Sequence, residues 1–268
     1  MKSNNVNSFA GSCKTYGEGF WKISDFHSHV LPGMDDGAKD VTESLAMLSR
    51  IKQQGISSMV STSHFYADRE TPDSFLARRA QAVAELIRGG YHPDTEHPLL
   101  CIGAEVAFFT GMARSAQLER LCISGTRFLL IEMPFAKWSD SVINEVLAVR
   151  EALGLKPIIA HIERYIDYQK GSTLGRLIEG GVLIQSNAEY FTEKKTCRKA
   201  LKLLLQGGIH LLGSDAHNLD SRPPNLDRGL EIIAGHKYGE DMLREIEECS
   251  AYVLKKAKYI QTETETVG

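Results

Sequence analysis

Seven short apolar runs alternate with longer segments of helical spacing along the 268-residue chain, and no other feature restricts its fold as much. The runs, at 22–26, 58–62, 99–103, 127–131, 157–160, 182–186 and 209–213, have the length and composition of buried strands. Between them, 41–54 spaces Val41, Leu45, Leu48 and Ile51 along one helical face, and 73–88, 139–153, 196–206 and 225–234 repeat the pattern. Asp40 and Ser139 stand where N-caps belong, and Gly55, Gly154 and Gly207 where helices end on a left-handed residue. Strand and helix in steady alternation predict parallel strands, because a parallel neighbour can be reached only by a long crossover. The expected architecture is α/β: one distorted, seven-stranded (β/α)7 TIM-like barrel over residues 21–258. Residues 1–20 are polar and aperiodic and read as a flexible N-terminal extension, and 259–268 as a C-terminal tail ending in alternating Thr and Glu.

Each predicted strand is followed by side chains that can hold a metal ion or a phosphate. Asp25, His27, His29 and the run Asp35-Asp36-Gly37 follow the first, His64 the second, Glu105 the third and Glu132 the fourth. His161, Glu163 and Arg164 follow the fifth, Asn187 the sixth, and Asp215 and His217 the seventh. Parallel strands of a barrel deliver such residues to one rim, so groups spread over 25–217 are predicted to converge. Taken singly, each has a plainer reading: a lone histidine is a hydrogen-bonded structural residue, Glu132 half of an ion pair, Asp35-Asp36-Gly37 a turn. Their coincidence reverses that reading. Five of nine histidines fall on the predicted rim, whereas His92, His97, His210 and His236 fall elsewhere and are read as structural or solvated. The H-x-H of His27 and His29 is the sharpest local signal, since alternate residues of an extended segment point the same way.

The donor types define the chemistry. Imidazoles mixed with carboxylates suit Mn²⁺, Zn²⁺ or Fe²⁺. Five cysteines without a C-x-x-C pair argue against a structural zinc site or a disulfide framework and fit a reducing cytoplasm. Neighbouring ions need a bridging carboxylate, for which Glu105 and Glu132 are candidates. Such a cluster lowers the pKa of bound water from about 15.7 towards roughly 7 and steadies both oxygens of a phosphoester displacement. Arg164 and Arg222 are predicted at the same rim, where a guanidinium fork matches phosphate. Arg69, in the loop after His64, is placed to steer an acidic substrate, and Arg78 and Arg79 are expected to face solvent from a helix. Phe65, Tyr66, Phe108, Phe109, Phe135 and Trp138 are candidates to pack a substrate ring. A net charge of −3 implies no bulk attraction to nucleic acid, and no apolar stretch is long enough to span or insert into a membrane.

The ordered motifs D-F-H-S-H-V-L-P-G-M-D-D-G (25–37), S-T-S-H (61–64), G-A-E-V (103–106), I-E-M-P (131–134), A-H-I-E-R-Y (160–165) and S-D-A-H-N-L-D-S-R-P-P (214–224) resemble a known family. It is that of the bacterial manganese-dependent protein-tyrosine phosphatases of capsular and exopolysaccharide biosynthesis loci, in the polymerase and histidinol phosphatase (PHP) class. The resemblance covers about 22–255. It implies a PHP-type barrel holding three metal ions, usually Mn²⁺, that hydrolyses phosphotyrosine on a membrane-associated partner tyrosine kinase controlling polysaccharide synthesis. Carried over motif by motif, the metal ligands are His27, His29, Asp36, His64, Glu105, Glu132, His161, Asp215 and His217, with Arg164 and Arg222 holding phosphate. Three features depart from the pattern: more than twenty residues precede the first motif, Ala107 stands where a bulkier residue is expected, and the loop H-F-Y-A-D-R-E is individual.

A thiolate mechanism is unsupported, because the residue six beyond each cysteine is Gly19, Ala107, Phe128, Leu203 or Lys255 rather than Arg. Two alternatives share the same residues: a small-molecule phosphomonoesterase acting on a substrate such as histidinol phosphate, and a non-catalytic metal-binding or kinase-docking protein.

Overall fold

The computed structural model describes residues 22–262; the predicted extension 1–20 and positions 263–268 of the predicted tail lie outside the described residues. In chain order the elements are α1 (Val41–Gln53), β1 (Ser58–Ser61), β2 (His64–Phe65), α2 (Pro72–Arg88), β3 (Leu99–Ile102), β4 (Glu105–Ala107) and β5 (Phe128–Glu132). There follow α3 (Asp140–Leu153), β6 (Lys156–Ile159), α4 (Gly171–Glu179), β7 (Leu183–Asn187), α5 (Glu189–Thr192), α6 (Cys197–Leu205), β8 (Leu211–Gly213), α7 (Leu226–Ala234) and α8 (Gly239–Leu254). Every strand pairing is parallel, with β1 on β3 and a second sheet in the order β2-β4-β5-β6-β7-β8.

Local chemistry sets the helix limits as expected. The Asp40 carboxylate accepts from Glu43 N at 2.9 Å to start α1, which buries Met47, Leu48 and Ile51. Ser139 accepts from Val142 N to start α3, and Gly154 ends it at φ 63, a conformation that costs glycine little.

Two predicted strands are each split in two. The second run breaks between β1 and β2 at Thr62-Ser63, and the third between β3 and β4 at Gly103-Ala104. Glu105 N is shared between the carbonyls of Thr62 and Ser63, each at 3.1 Å, while the register keeps one offset across the break, with Ser61 opposite Ile102 and His64 opposite Glu105. The ladder is thus interrupted by two residues on each strand without a slip, and pairing resumes at His64 and Glu105.

The first run, expected as a full strand, pairs only through isolated parallel bridges, Asp25 with Met59 and Ser28 with Ala216. Its backbone bonds are shared between two neighbours: Val60 N donates to Asp25 O at 2.7 Å, while Phe26 N donates to Leu212 O at 3.0 Å and Asp215 N to His27 O at 2.7 Å. The segment carrying the H-x-H motif is therefore held on both sides by the sheets.

Alternate strand residues feed two apolar regions. Leu129 and Ile131 face the larger one, packed under the helices, whereas Leu130 joins Phe26, Val60, Cys101, Phe128, Ile158, Leu211 and Val253 in the smaller. The end of α8 and the residues after it cover that second region. Tyr259 bridges Cys101 in the antiparallel sense and Ile260 N donates to Leu100 O at 2.9 Å, so ordered pairing continues two residues past the predicted boundary at 258. Among the described residues no helix is long and apolar enough to cross a membrane.

Candidate metal centre

All nine carboxylates and imidazoles expected as ligands lie together: His27, His29 and Asp36 come from the first segment, His64 and Glu105 open β2 and β4, Glu132 ends β5, and His161, Asp215 and His217 follow β6 and β8. They form four overlapping groups whose ligand atoms lie within 4.8 Å of one another: His29, Asp36, His64 and His217; His27, Glu105 and His161; His27, His29 and Asp215; and His64, Glu105 and Glu132. Glu105 sits between them. Its Oε2 is 3.0 Å from His27 Nε2 and 3.1 Å from His64 Nδ1, and its Oε1 is 2.7 Å from His161 Nε2. Of the two predicted bridging candidates, Glu105 reaches more of the imidazoles and is fully buried, whereas Glu132 is partly exposed.

The buried hydrogen bonds decide which ring nitrogens are free. Gln185 Oε1 accepts from His161 N at 2.7 Å and lies 3.2 Å from His27 Nδ1, while its amide nitrogen donates to Asn187 Oδ1 at 2.9 Å. With the amide oriented this way, His27 donates from Nδ1 and turns Nε2 towards Glu105. His29 Nδ1 is likewise held by Asp35 at 2.8 Å, and His217 Nδ1 by its neighbour's carbonyl, Asp215 O, at 2.8 Å. The Nε2 atoms of His27 and His29 then face each other at 3.2 Å, flanked by Glu105 and Asp215. Two lone pairs at that separation repel unless a proton or a metal cation lies between them; against the opposing effect of burial, Glu105 and Asp215, and for His29 also Asp35, raise the affinity of both rings for positive charge. His217 Nε2 and His161 Nδ1 are buried without a hydrogen-bond partner. Imidazoles steered by a second hydrogen bond, with carboxylates between them, are a donor set that fits divalent first-row ions.

The electrostatics point the same way. Burial opposes the charge on Glu105, but His27 and His161 more than offset it and hold the carboxyl well below its usual range. Burial also opposes charge on Asp215, which His27 and His29 likewise keep ionised. Burial pushes His161 down to about 4, so that ring stays neutral, as a ligand must. Glu132 is raised to about 7 by burial and by the charge of Glu105. The centre thus gathers carboxylates that favour positive charge in a dry setting: they raise His27 and His29 above the usual imidazole range, the same attraction that would hold a metal ion.

Two ligand candidates sit in a backbone conformation that side-chain-bearing residues seldom adopt, His161 at φ 28 and Asp215 at φ 53. Such strain costs on the order of 1–3 kcal/mol per residue and persists where surroundings enforce it. Gln185 holds His161 N and the first-strand carbonyl of His27 holds Asp215 N. Glycine admits the H-x-H segment on both sides. A Cβ on Gly37 would lie 2.2 Å from His29 O, and one on Gly213 would lie 2.6 Å from the His27 Cβ.

Arg164 and Arg222 converge on one atom. Both donate to Asp215 Oδ2, Arg222 at 2.8 Å, and Asn187 Nδ2 donates to it at 3.0 Å. Both arginine side chains remain partly exposed. Glu163 and Asp25 take other roles. Glu163 accepts from Ser186 Oγ at 3.0 Å and Asn187 N at 3.2 Å, and Asp25 accepts from Ser214 N at 2.9 Å and His27 N at 3.1 Å, stitching the first strand to the last.

The surrounding expectations need correction. Phe65 and Trp138 are buried and pack in the core, so neither is free to meet a substrate ring; Tyr66 is half-buried at the rim and Phe135 is exposed. Arg79 does not face solvent: it lies over Phe75 and donates to Gly103 O at 2.8 Å, at the break between β3 and β4. His97 and His210 accept from the backbone of His92 and Ile184, as structural histidines do. The orienting roles of Gln185 and Asp35 were not predicted. The signal available for Gln185 was a polar residue within an apolar run, 182–186.

A family model described as capsular polysaccharide synthesis, CpsB/CapC, matches residues 23–255. A Streptococcus pneumoniae tyrosine-protein phosphatase CpsB is 33% identical over 233 residues, 83% of this chain and 93% of the relative. The Streptococcus agalactiae protein of that name is 29% identical over 249 residues, covering 88% and 99%. Among solved structures, one from work on YwqE of Bacillus subtilis and CpsB of S. pneumoniae, described as unique metal-dependent tyrosine phosphatases, superposes with a TM-score of 0.74 at 25% identity. It covers 92% of this chain and 100% of that one.

Proposed function

This chain belongs to the CpsB/CapC family of capsular polysaccharide synthesis, and we propose that it is a metal-dependent protein-tyrosine phosphatase built on a distorted (β/α)7 barrel of PHP type. The substrate in this reading is phosphotyrosine on a membrane-associated bacterial tyrosine kinase that regulates capsule or exopolysaccharide synthesis, reached from the cytoplasm. The observation that carries the proposal is the pair of imidazole nitrogens, His27 Nε2 and His29 Nε2, 3.2 Å apart and enclosed by Glu105 and Asp215. What supports the barrel is the first-strand segment bonded to both Val60 and Leu212.

The nine residues proposed as ligands are His27, His29, Asp36, His64, Glu105, Glu132, His161, Asp215 and His217, holding divalent ions, most simply three Mn²⁺. When bound, such ions supply Lewis-acid activation of water and neutralise phosphate charge. Arg164 and Arg222 bind the phosphoryl oxygens and offset charge that develops on them in the transition state. Gln185 and Asp35 keep the rings of His27 and His29 turned with Nε2 inward. Phe135, exposed at the rim, is available to the phenyl ring of the substrate.

Chelator-stripped protein tests this reading when Mn²⁺, Zn²⁺ or Mg²⁺ is added back in the presence of a phosphotyrosine peptide, a phosphoserine peptide or histidinol phosphate. The expected result is Mn²⁺-restored hydrolysis of the phosphotyrosine peptide. Activity confined to histidinol phosphate would replace the substrate class, and inactivity on all three would replace the enzyme with a binding protein.

A further inference from the structure

The cleft beside His64 has a wall that hydrolysis itself does not use. About 350 Å³ in volume, it is lined by Met34, Tyr66, Arg69, Glu70 and Arg78 next to Asp35, Asp36 and His64. The Tyr66 ring stacks on His64 with centroids 5.4 Å apart and planes 28° apart, and the Arg69 guanidinium lies 4.2 Å from the Tyr66 centroid. The backbone holds this stack in place, since the amides of Arg69 and Glu70 both donate to Tyr66 O, at 3.0 and 3.2 Å.

The other charges of the cleft are committed. Arg78 donates to both Glu70 oxygens, at 2.7 and 3.3 Å, and to Met34 O at 2.9 Å. Asp35 accepts from His29, His64 N and Gly37 N, and Asp36 faces His64, His217 and Arg222. Arg69 makes no ion pair among the described residues, with the adjacent Asp68 or with any other. A guanidinium laid on an aromatic face keeps its N–H edges directed outward in the plane, the geometry that takes a carboxylate or phosphate by two parallel hydrogen bonds.

We propose that Tyr66 and Arg69 form a recognition subsite for an anionic residue, a carboxylate or a second phosphate, next to the phosphotyrosine of the substrate. Two stacked planes separate Arg69 from His64, about 10 Å at most, which an extended peptide crosses in about three residues. The subsite therefore reads a position one to three residues from the reacting tyrosine. It rests on the phosphatase reading and deepens it.

The test measures kcat/KM of the Mn²⁺-loaded protein on four phosphotyrosine peptides with Glu, phosphotyrosine, Ala or Lys at successive flanking positions, alongside free phosphotyrosine. Wild type should prefer the best-placed anionic peptide over its Lys counterpart by about fivefold, as a partly exposed ion pair allows, and the preference should shrink at high salt. Arg69→Ala should abolish the preference, Arg69→Glu should invert it, and both should leave free phosphotyrosine unchanged. A larger response to the phosphotyrosine flank than to Glu identifies the second phosphate as the ligand. A preference that survives in Arg69→Ala overturns the subsite, as does a parallel loss on free phosphotyrosine. Failure to hydrolyse any phosphotyrosine substrate overturns the phosphatase reading and the subsite with it.

Discussion

Replacing Gln185 with Leu removes a side chain of similar size that touches neither substrate nor ion, yet it should disable the metal centre. The amide oxygen is the acceptor for His161 N at 2.7 Å and for His27 Nδ1 at 3.2 Å, and the amide nitrogen donates to Asn187 Oδ1 at 2.9 Å. Gln185 is fully buried, so Leu leaves two donors unpaired in the dry interior. At about 1–3 kcal/mol each, the loss of stability is about 2–6 kcal/mol. Against a total of about 5–15 kcal/mol, the variant should fold at low temperature and melt earlier. His27 also loses the bond that turns its Nε2 towards Glu105 and Asp215, and the peptide of His161 loses the contact that supports its left-handed conformation. Outer contacts of this kind are worth about 10- to 100-fold in metal affinity. Calorimetric titration of stripped protein with Mn²⁺, paired with thermal melting, reads both effects. Gln185→Glu keeps an acceptor for both donors and should retain most of the affinity. A folded Gln185→Leu protein that binds Mn²⁺ as tightly as wild type would refute the orienting role, and with it the assignment of free nitrogens in the centre.

Four further outcomes are expected. Gly213→Ala places a methyl 2.6 Å from the His27 Cβ and 2.8 Å from the Gln185 amide nitrogen, so it should weaken Mn²⁺ binding in the same titration although no polar atom is lost. Arg222→Ala should retain metal by elemental analysis, because Asp215 keeps Arg164 and Asn187, while kcat/KM for phosphotyrosine falls by about 10²–10³. Ser139→Ala removes the cap of α3, a long contact at 3.4 Å, and should cost about 0.5–1 kcal/mol, seen as a drop in Tm of about 2 °C with unchanged activity. Burial pushes the Cys101 and Cys122 thiols up to about 12, so at pH 8 both stay protonated and hidden; timed alkylation should label Cys197 in the native protein and these two only after unfolding.

Much of the molecule was legible from residue order. Short apolar runs marked the strands and 3.6-residue spacing most helices, because burial is a local property written in apolar spacing. Asp40, Ser139 and Gly154 announced the ends of α1 and α3, since capping needs only a residue type at a fixed offset. Residue type also announced the chemistry: imidazoles and carboxylates after successive strands have few uses in common besides holding ions.

What the sequence could not decide depends on which strands become neighbours. The breaks at Thr62-Ser63 and Gly103-Ala104 lie opposite each other in two segments about 40 residues apart, and nothing in either segment alone records that pairing. The same holds for the first strand, whose bonds divide between Val60 and Leu212. Phe65 and Trp138 were taken for rim residues because aromatic character does not tell a core side chain from a substrate contact until its surroundings are assembled. Gln185 and Asp35 became visible as the residues that turn His27 and His29 only through hydrogen bonds spanning 158 and 6 positions. Residue types named the ions this chain is suited to hold; tertiary contacts chose the nitrogen that each ring offers, because hydrogen bonds to its other side are made by residues that only folding brings near.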